Sequence, residues 1–311
     1  MMMPIKSTLQ SSSELAASIT WSASKQTYFT IRFLVDRQRV SDAYRTYAYF
    51  RWVDDQLDQV LLEQSARIAF VETQKALMEC LYRGETPLDL EPEERMLADL
   101  VASDREPNSG LQTYIHSMMA VMAFDAYRRG RLISQKELKD YTLWLSTAVT
   151  EAMHYFIGHD CQAPNIDTRY LAVTGAHIVH MLRDTLEDTS SGYINIPLEF
   201  LQTHTITACD VNSPAYRMWV NNRVQLARDC FKAGQSYLAQ VGCLRCRLAG
   251  YAYTARFMAV LNAVERDNYQ LRSSYSEIKR PAAGLRMFWT VLVLSLNKHH
   301  PKMLAHARSE A

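Results

Sequence analysis

The chain has 311 residues, 34 Lys+Arg against 33 Asp+Glu and a formal net charge of +1, a balance without the electrostatic footprint of a nucleic-acid partner. Hydrophobic residues at 48% and charged residues at 22% exclude disorder over most of the length. Only 10 Gly and 9 Pro leave too few turns for a many-stranded sandwich or barrel, so an all-α fold is expected. In chain order, 1–18 has no apolar run and does not read as a secretory signal; its serines read as a flexible arm. Apolar residues at helical spacing then predict helices over about 22–34, 40–60, 63–83, 92–103, 109–129, 135–158, 168–190, 198–202, 213–240, 243–271 and 283–297.

The breaks between helices have recognisable chemistry. Gly84 to Pro87 ends one helix, Pro107 to Gly110 starts another, and Gly130 follows the basic end formed by Arg128 and Arg129. No Pro/Gly/Ser linker divides the chain, so one helical domain is expected over 19–300, with a flexible tail over 301–311. The most apolar run, FWTVLVLSLN (288–297), is about half the ~20 residues needed to span a bilayer. It reads as a buried helix, or as one touching a membrane surface. Six cysteines without a secretory signal suggest reduced thiols and a cytoplasmic location. Cys243 and Cys246 form a single CxxC; without the second pair that a zinc ribbon needs, it reads as helical packing.

The informative stretches are YRTYAYFRWVDDQLDQ (44–59) and HIVHMLRDTLEDTSSGYINIPLE (177–199). Tyr47, Arg51, Asp54 and Asp58 stand at helical steps and share one face; so do His177, His180, Asp184 and Asp188. The opposite faces are apolar, with Ala48, Phe50 and Val53 on one helix and Ile178, Val179 and Leu182 on the other. Solvated faces with ion pairs, Arg51 to Asp55 and Arg183 to Glu187, are the bland reading. Asp has a low helix-interior propensity and is costly to bury unpaired, yet the arrangement occurs twice. Two such stripes facing each other across a cavity suit a diphosphate with shared Mg²⁺, because hard cations take carboxylate oxygens together with substrate phosphates.

At these residues the chain resembles the squalene/phytoene synthase family. The two DxxxD segments stand as Asp54-Asp55-Gln56-Leu57-Asp58 and Asp184-Thr185-Leu186-Glu187-Asp188. SKQTYF (24–29), YAYFRWVDDQLD (47–58), FDAYRRGRLISQKELKDY (124–141), RDTLEDTSSGYINIPLE (183–199) and YTARFMAVLNAVERDNYQLR (253–272) resemble family segments in the family's order. The resemblance implies an all-α isoprenoid-synthase fold with a central cavity. It also implies an Mg²⁺-dependent prenyltransferase that joins two prenyl diphosphates, farnesyl or geranylgeranyl, head to head. Asp54, Asp58, Asp184 and Asp188 carry over as metal ligands, and Tyr47, Arg51, Lys25 and Arg272 as diphosphate contacts; Arg183 is added on the substrate side. Nothing in the chain supports NADPH. An apolar product would imply peripheral membrane contact.

Departures from the family mark what could differ. His177 and His180 stand where the family has Gln and Asn, and the family Asn helps hold a metal ion. Both histidines are therefore substrate-contact candidates, and His180 is also a metal-ligand candidate. Leu145-Ser146-Thr147-Ala148-Val149-Thr150 replaces a glycine-containing helix segment that lets the backbone approach substrate. Tyr193 and Asn195 replace an Arg and a Tyr. These changes leave open a different fate for the ionised substrate, either cyclisation or prenylation of an aromatic acceptor. A non-catalytic scaffold that kept only the fold is a third reading, and the retention of all four aspartates speaks against it.

Overall fold

A computed structural model describes residues 11–275 of the chain, which run as eleven α-helices. They are α1 (Ser12–Ala23), α2 (Lys25–Leu34), α3 (Val40–Asp55), α4 (Gln64–Tyr82), α5 (Pro92–Ser103), α6 (Gly110–Arg128), α7 (Gln135–Phe156), α8 (Leu171–Ser190), α9 (Leu198–His204), α10 (Pro214–Leu238) and α11 (Leu244–Arg266). Among the described residues the nearest thing to a strand is an isolated bridge between Arg131 and Tyr193, so the all-α expectation holds. No described helix is long and apolar enough to cross a membrane. The helix expected at 283–297 and the tail at 301–311 lie outside the described residues.

Within the stretch expected as an arm over 1–18, residues from Ser12 onward are helical in α1. Ser11 caps α1: its side chain accepts from the Glu14 N–H at 3.3 Å, and the Glu14 carboxylate accepts from the Ser11 N–H at 3.1 Å. Serine is a poor interior residue but a strong cap, so a Ser-rich stretch before an apolar run starts a helix. Ser134 caps α7 with the same reciprocal pair, and Ser109 and Ser213 cap α6 and α10 by accepting from the Gln112 and Tyr216 N–H groups. The stretch expected as one helix over 40–60 is α3 followed by a π-helical turn over Gln56–Val60.

Two apolar clusters build the interior. One gathers around α1, α3, α5, α6 and α7, with Tyr49, Leu97, Leu111 and Ile115 almost fully buried. The other packs α8, α10 and α11 through Val179, Val220, Phe231 and Leu261. The seam between α8 and α10 is close because a Cβ at Gly234 would collide with the Ala172 backbone. Two left-handed glycines join the turn after α6 to the turn after α8: the Gly130 N–H (φ +79°) donates to the Gly192 carbonyl (φ +89°) at 2.8 Å. That link fixes the segment carrying Tyr193 and Asn195 against the C-terminal end of α6.

Candidate active site

A cavity of about 260 Å³ opens between α3, α6, α7 and α8. Asp54, Leu57 and Asp58 enter from α3 and its π turn, Asp125 and Arg128 from α6, and Tyr141 from α7. His177, His180, Met181, Asp184 and Asp188 line it from α8, and Tyr193 and Asn195 from the following segment. Four residues span slightly more than one α-helical turn, so Asp58 would drift around the axis from Asp54. The wider π turn that holds Asp58 alters that angle at the rim of the cavity.

The electrostatics of the cavity are uneven. Burial and the neighbouring Asp58 push Asp54 up to about 6; burial and Asp184 push Asp188 up to about 6. Burial would also raise Asp184, but its bonds to Arg183 (2.6 Å) and His180 (2.9 Å) hold it well below the usual carboxylate range. Burial raises Asp125 despite its 2.6 Å bond from Arg128 Nε. Arg128 also donates to Asn195 Oδ1 at 2.7 Å and lies 4.6 Å from the Tyr141 ring centroid and 4.9 Å from that of Tyr193. The Tyr193 hydroxyl donates to Asp58 at 2.8 Å, and the Asn195 amide donates to Asp188 at 2.8 Å. One short segment therefore holds a carboxylate from each aspartate helix.

The histidine departures behave differently from each other. His180 is half-exposed at 50%, paired with Asp184, and its ring is 6.1 Å from that of Phe257. His177 is 5% exposed, and neither of its ring nitrogens has a hydrogen-bond partner. Burial, with His180, Arg223 and Arg128 nearby, pushes its pKa well below the ordinary value, so the ring is neutral.

The cavity brings together Asp54, Asp58, His177, His180, Asp184 and Asp188 from the sequence-derived set, and leaves the other five outside its lining. Arg51 folds back along α3 onto Asp55, at 2.5 Å, and Asp54, at 3.4 Å. Lys25 stacks over Trp21, its ammonium 5.2 Å from the ring centroid. Tyr47 is raised by burial and hydrogen-bonds toward Ser24 and Thr27. Arg183 is spent on Asp184, and Arg272 pairs with Asp267 at 2.5 Å. Helical spacing places Tyr47 and Arg51 in line with the aspartates, but a long side chain takes the nearest partner whichever face it starts from.

Asp125, Arg128 and Tyr141 were not singled out in the sequence. The i, i+3 spacing of Asp125 and Arg128 within FDAYRR is a signal, but the same spacing is common on solvated helices. Of the altered α7 segment, Ser146, Ala148 and Thr150 are buried, and Tyr141 is the α7 residue that reaches the cavity. A larger groove of about 750 Å³ runs along α4 and α6 past Ile68, Lys75, His116 and Trp144. It contains none of the aspartates, so the carboxylate chemistry belongs to the smaller cavity. Among the described residues no three carboxylate, imidazole or thiolate groups stand ready-made to hold a metal ion.

An all-α bundle with two aspartate helices facing one cavity is the arrangement that the resemblance of the two DxxxD segments implies. A match to the squalene/phytoene synthase family spans residues 22–283, and the chain belongs to that family, whose members join prenyl diphosphates head to head. The fold is similar to that of squalene synthase HpnC from Alicyclobacillus acidocaldarius, with a TM-score of 0.67 and 18% identity over 84% of this chain and 95% of that one. A dehydrosqualene synthase in complex with a ligand superposes with a TM-score of 0.68 and 15% identity, over 91% of this chain and 95% of that one. TcSQS with the ligand E5700 gives 0.64 and 14%, over 91% of each chain. A search of curated proteins found no match to the sequence.

Proposed function

We propose that the chain ionises an allylic prenyl diphosphate, farnesyl or geranylgeranyl, and joins two such molecules head to head with the help of Mg²⁺. The observation that carries this reading is the convergence of Asp54, Asp58, Asp184 and Asp188 in one cavity from two helices. Asp54 and Asp188 are pushed toward their protonated forms by burial and by neighbouring carboxylates, as in a cluster that lacks a counter-ion. The residues fit Mg²⁺, whose preferred ligands are carboxylate and phosphate oxygens. Asp54, Asp58, Asp184 and Asp188 would hold it, with His180 beside Asp184 and Asp125 as a fifth carboxylate. When bound, Mg²⁺ neutralises the diphosphate and makes it a better leaving group.

The chain's own side chains supply the rest. Arg128, fixed between Asp125, Asn195 and the rings of Tyr141 and Tyr193, presents a permanent positive charge to the leaving diphosphate. The C1–O bond breaks with its electron pair on the diphosphate, leaving an allylic cation. The ring face of Tyr141 and the apolar side chains of Leu57 and Met181 shelter that cation from water and stabilise it. The second substrate's double bond then attacks C1, and loss of a proton closes a cyclopropane that still carries the second diphosphate; departure of that diphosphate and loss of a second proton give the symmetrical hydrocarbon.

Product analysis by mass spectrometry after incubation with Mg²⁺ and farnesyl or geranylgeranyl diphosphate, each alone, tests this. The expected product is symmetrical, with twice the chain length, and appears with released diphosphate. The neutral, unpartnered His177 favours a second reading, in which the cation meets a different acceptor or cyclises. A cyclic product of unchanged chain length would select that reading.

A further inference from the structure

Three thiols that the cavity does not use converge beyond the C-terminal end of α7. Cys161 is exposed in the turn after α7, Cys243 is buried at the N-cap of α11, and Cys246 lies one turn into α11, fully buried. The two segments are clamped together. The Asp36 carboxylate accepts from the Gly158 and His159 N–H groups, both at 3.0 Å, and pairs with Arg245 of α11 at 2.5 Å. The Gln162 carbonyl accepts from the Gly242 N–H at 3.5 Å.

Gly158, at φ +74°, makes room for the sulfur atoms. A Cβ there would collide with Cys243 Sγ and stand 3.4 Å from Cys161 Sγ. Desolvation and the hydrogen-bonded Cys243 thiol push the Cys161 pKa up. Cys246 faces away toward His154, with Sγ 3.5 Å from Nδ1, while His154 Nε2 is 2.7 Å from the Tyr237 hydroxyl. The CxxC read as packing thus has one thiol committed to packing and one facing a third cysteine from elsewhere in the chain.

We propose that Cys161 and Cys243 form a reversible thiol-oxidation site, in which exposed Cys161 meets a peroxide and Cys243 resolves it to a disulfide. Cys161 loses its proton, which its raised pKa makes faster at alkaline pH, and the thiolate attacks the peroxide; the O–O bond breaks, a sulfenic acid forms and the departing hydroxide takes up the proton as water. Cys243 then attacks that sulfur, the S–S bond forms, the S–O bond breaks and a second water leaves. Two thiols are oxidised and the peroxide is reduced. The site lies about 20 Å along α7 from Tyr141, so its redox state reads out in stability more than in turnover. A link between these segments closes a long loop and restricts the unfolded chain.

The test treats the full chain with hydrogen peroxide, blocks the remaining thiols with iodoacetamide and maps the peptides. The expected result is a peptide pair joining Cys161 to Cys243 that dithiothreitol removes, with a melting temperature about 5–10 °C above that of the reduced protein. Cys161→Ser abolishes both, whereas Cys246→Ala keeps the cross-link. A disulfide between Cys243 and Cys246 overturns the proposal. So does a Cys161 recovered as alkylated thiol or as sulfinic acid without the cross-linked pair.

Discussion

The two aspartate helices have the same spacing and reach the same cavity, yet they are wired differently. On α8, Asp184 is paired with Arg183 and His180 and held low, while Asp188 carries the strain and is pushed up to about 6. On α3 it is the first carboxylate, Asp54, that is pushed up to about 6, by burial first and then by Asp58 and Asp125, while Arg51 spends its shorter bond on Asp55. On α8 both Arg183 and His180 bond Asp184, whereas on α3 Arg51 divides between Asp55 and Asp54 and the nearer bond goes to Asp55. The lesson is that DxxxD specifies where the carboxylates stand, and the flanking cations decide which of them is left with the least counter-charge.

The largest effect should come from removing either side of the pair. Asp54→Ala and Asp184→Ala are each expected to lower product formation by about a thousandfold or more with an unchanged circular-dichroism spectrum, since each helix contributes to one cluster. Near-normal turnover in either variant would break the symmetry of the comparison. Next comes Arg128, which bonds Asp125 on its own helix and Asn195, the partner of Asp188. Its side chain is 7% exposed and that of Asp125 16%, so Arg128→Met leaves a buried carboxylate without its partner. Urea unfolding should show a loss of about 3–5 kcal/mol.

A smaller effect should separate the helices. Without substrate, Mg²⁺ binding measured by calorimetry should weaken about tenfold more in Asp54→Asn than in Asp184→Asn, because Asp184 is already bonded by Arg183 and His180. Equal losses would mean that Arg183 and His180 release Asp184 at no cost.

The smallest effect is on the stability of the metal-free protein. Asp54 and Asp188 sit at about 6 in the native state and, like any Asp, near 3.8 when unfolded. The native state therefore binds more protons between those values, and this contribution to stability falls as pH rises from about 4 to about 6. Asp54→Asn should raise the melting temperature above pH 6 and lose the advantage below about pH 4. Water reaches the Asp54 side chain, which is 40% exposed, so the gain should be only a few degrees.

The aspartate arithmetic was legible because four-residue spacing on a helix needs no tertiary information, and the apolar flanks of 44–59 and 177–199 say which face turns inward. The helical class was legible from scarce Gly and Pro. Ser11 and its Glu14 partner were legible in principle, as a capping box hidden inside a Ser-rich stretch. The roles of the long cations were not, because Lys25, Arg51 and Arg272 have local partners within reach, and spacing cannot say which partner wins.

By itself the sequence determined the helices, the two carboxylate stripes and the histidines that replace family residues, because all of these depend on neighbours within two turns. Only the tertiary structure decided that Asp125 and Arg128 are buried between the stripes, and that Tyr193 and Asn195 each hold a carboxylate from a different helix. It also decided that Cys161 meets Cys243. The reason is the same in each case. Burial and counter-charge depend on which helices pack together, and that is set by side chains far apart along the chain closing on one another around Gly130, Gly192, Gly158 and Gly234.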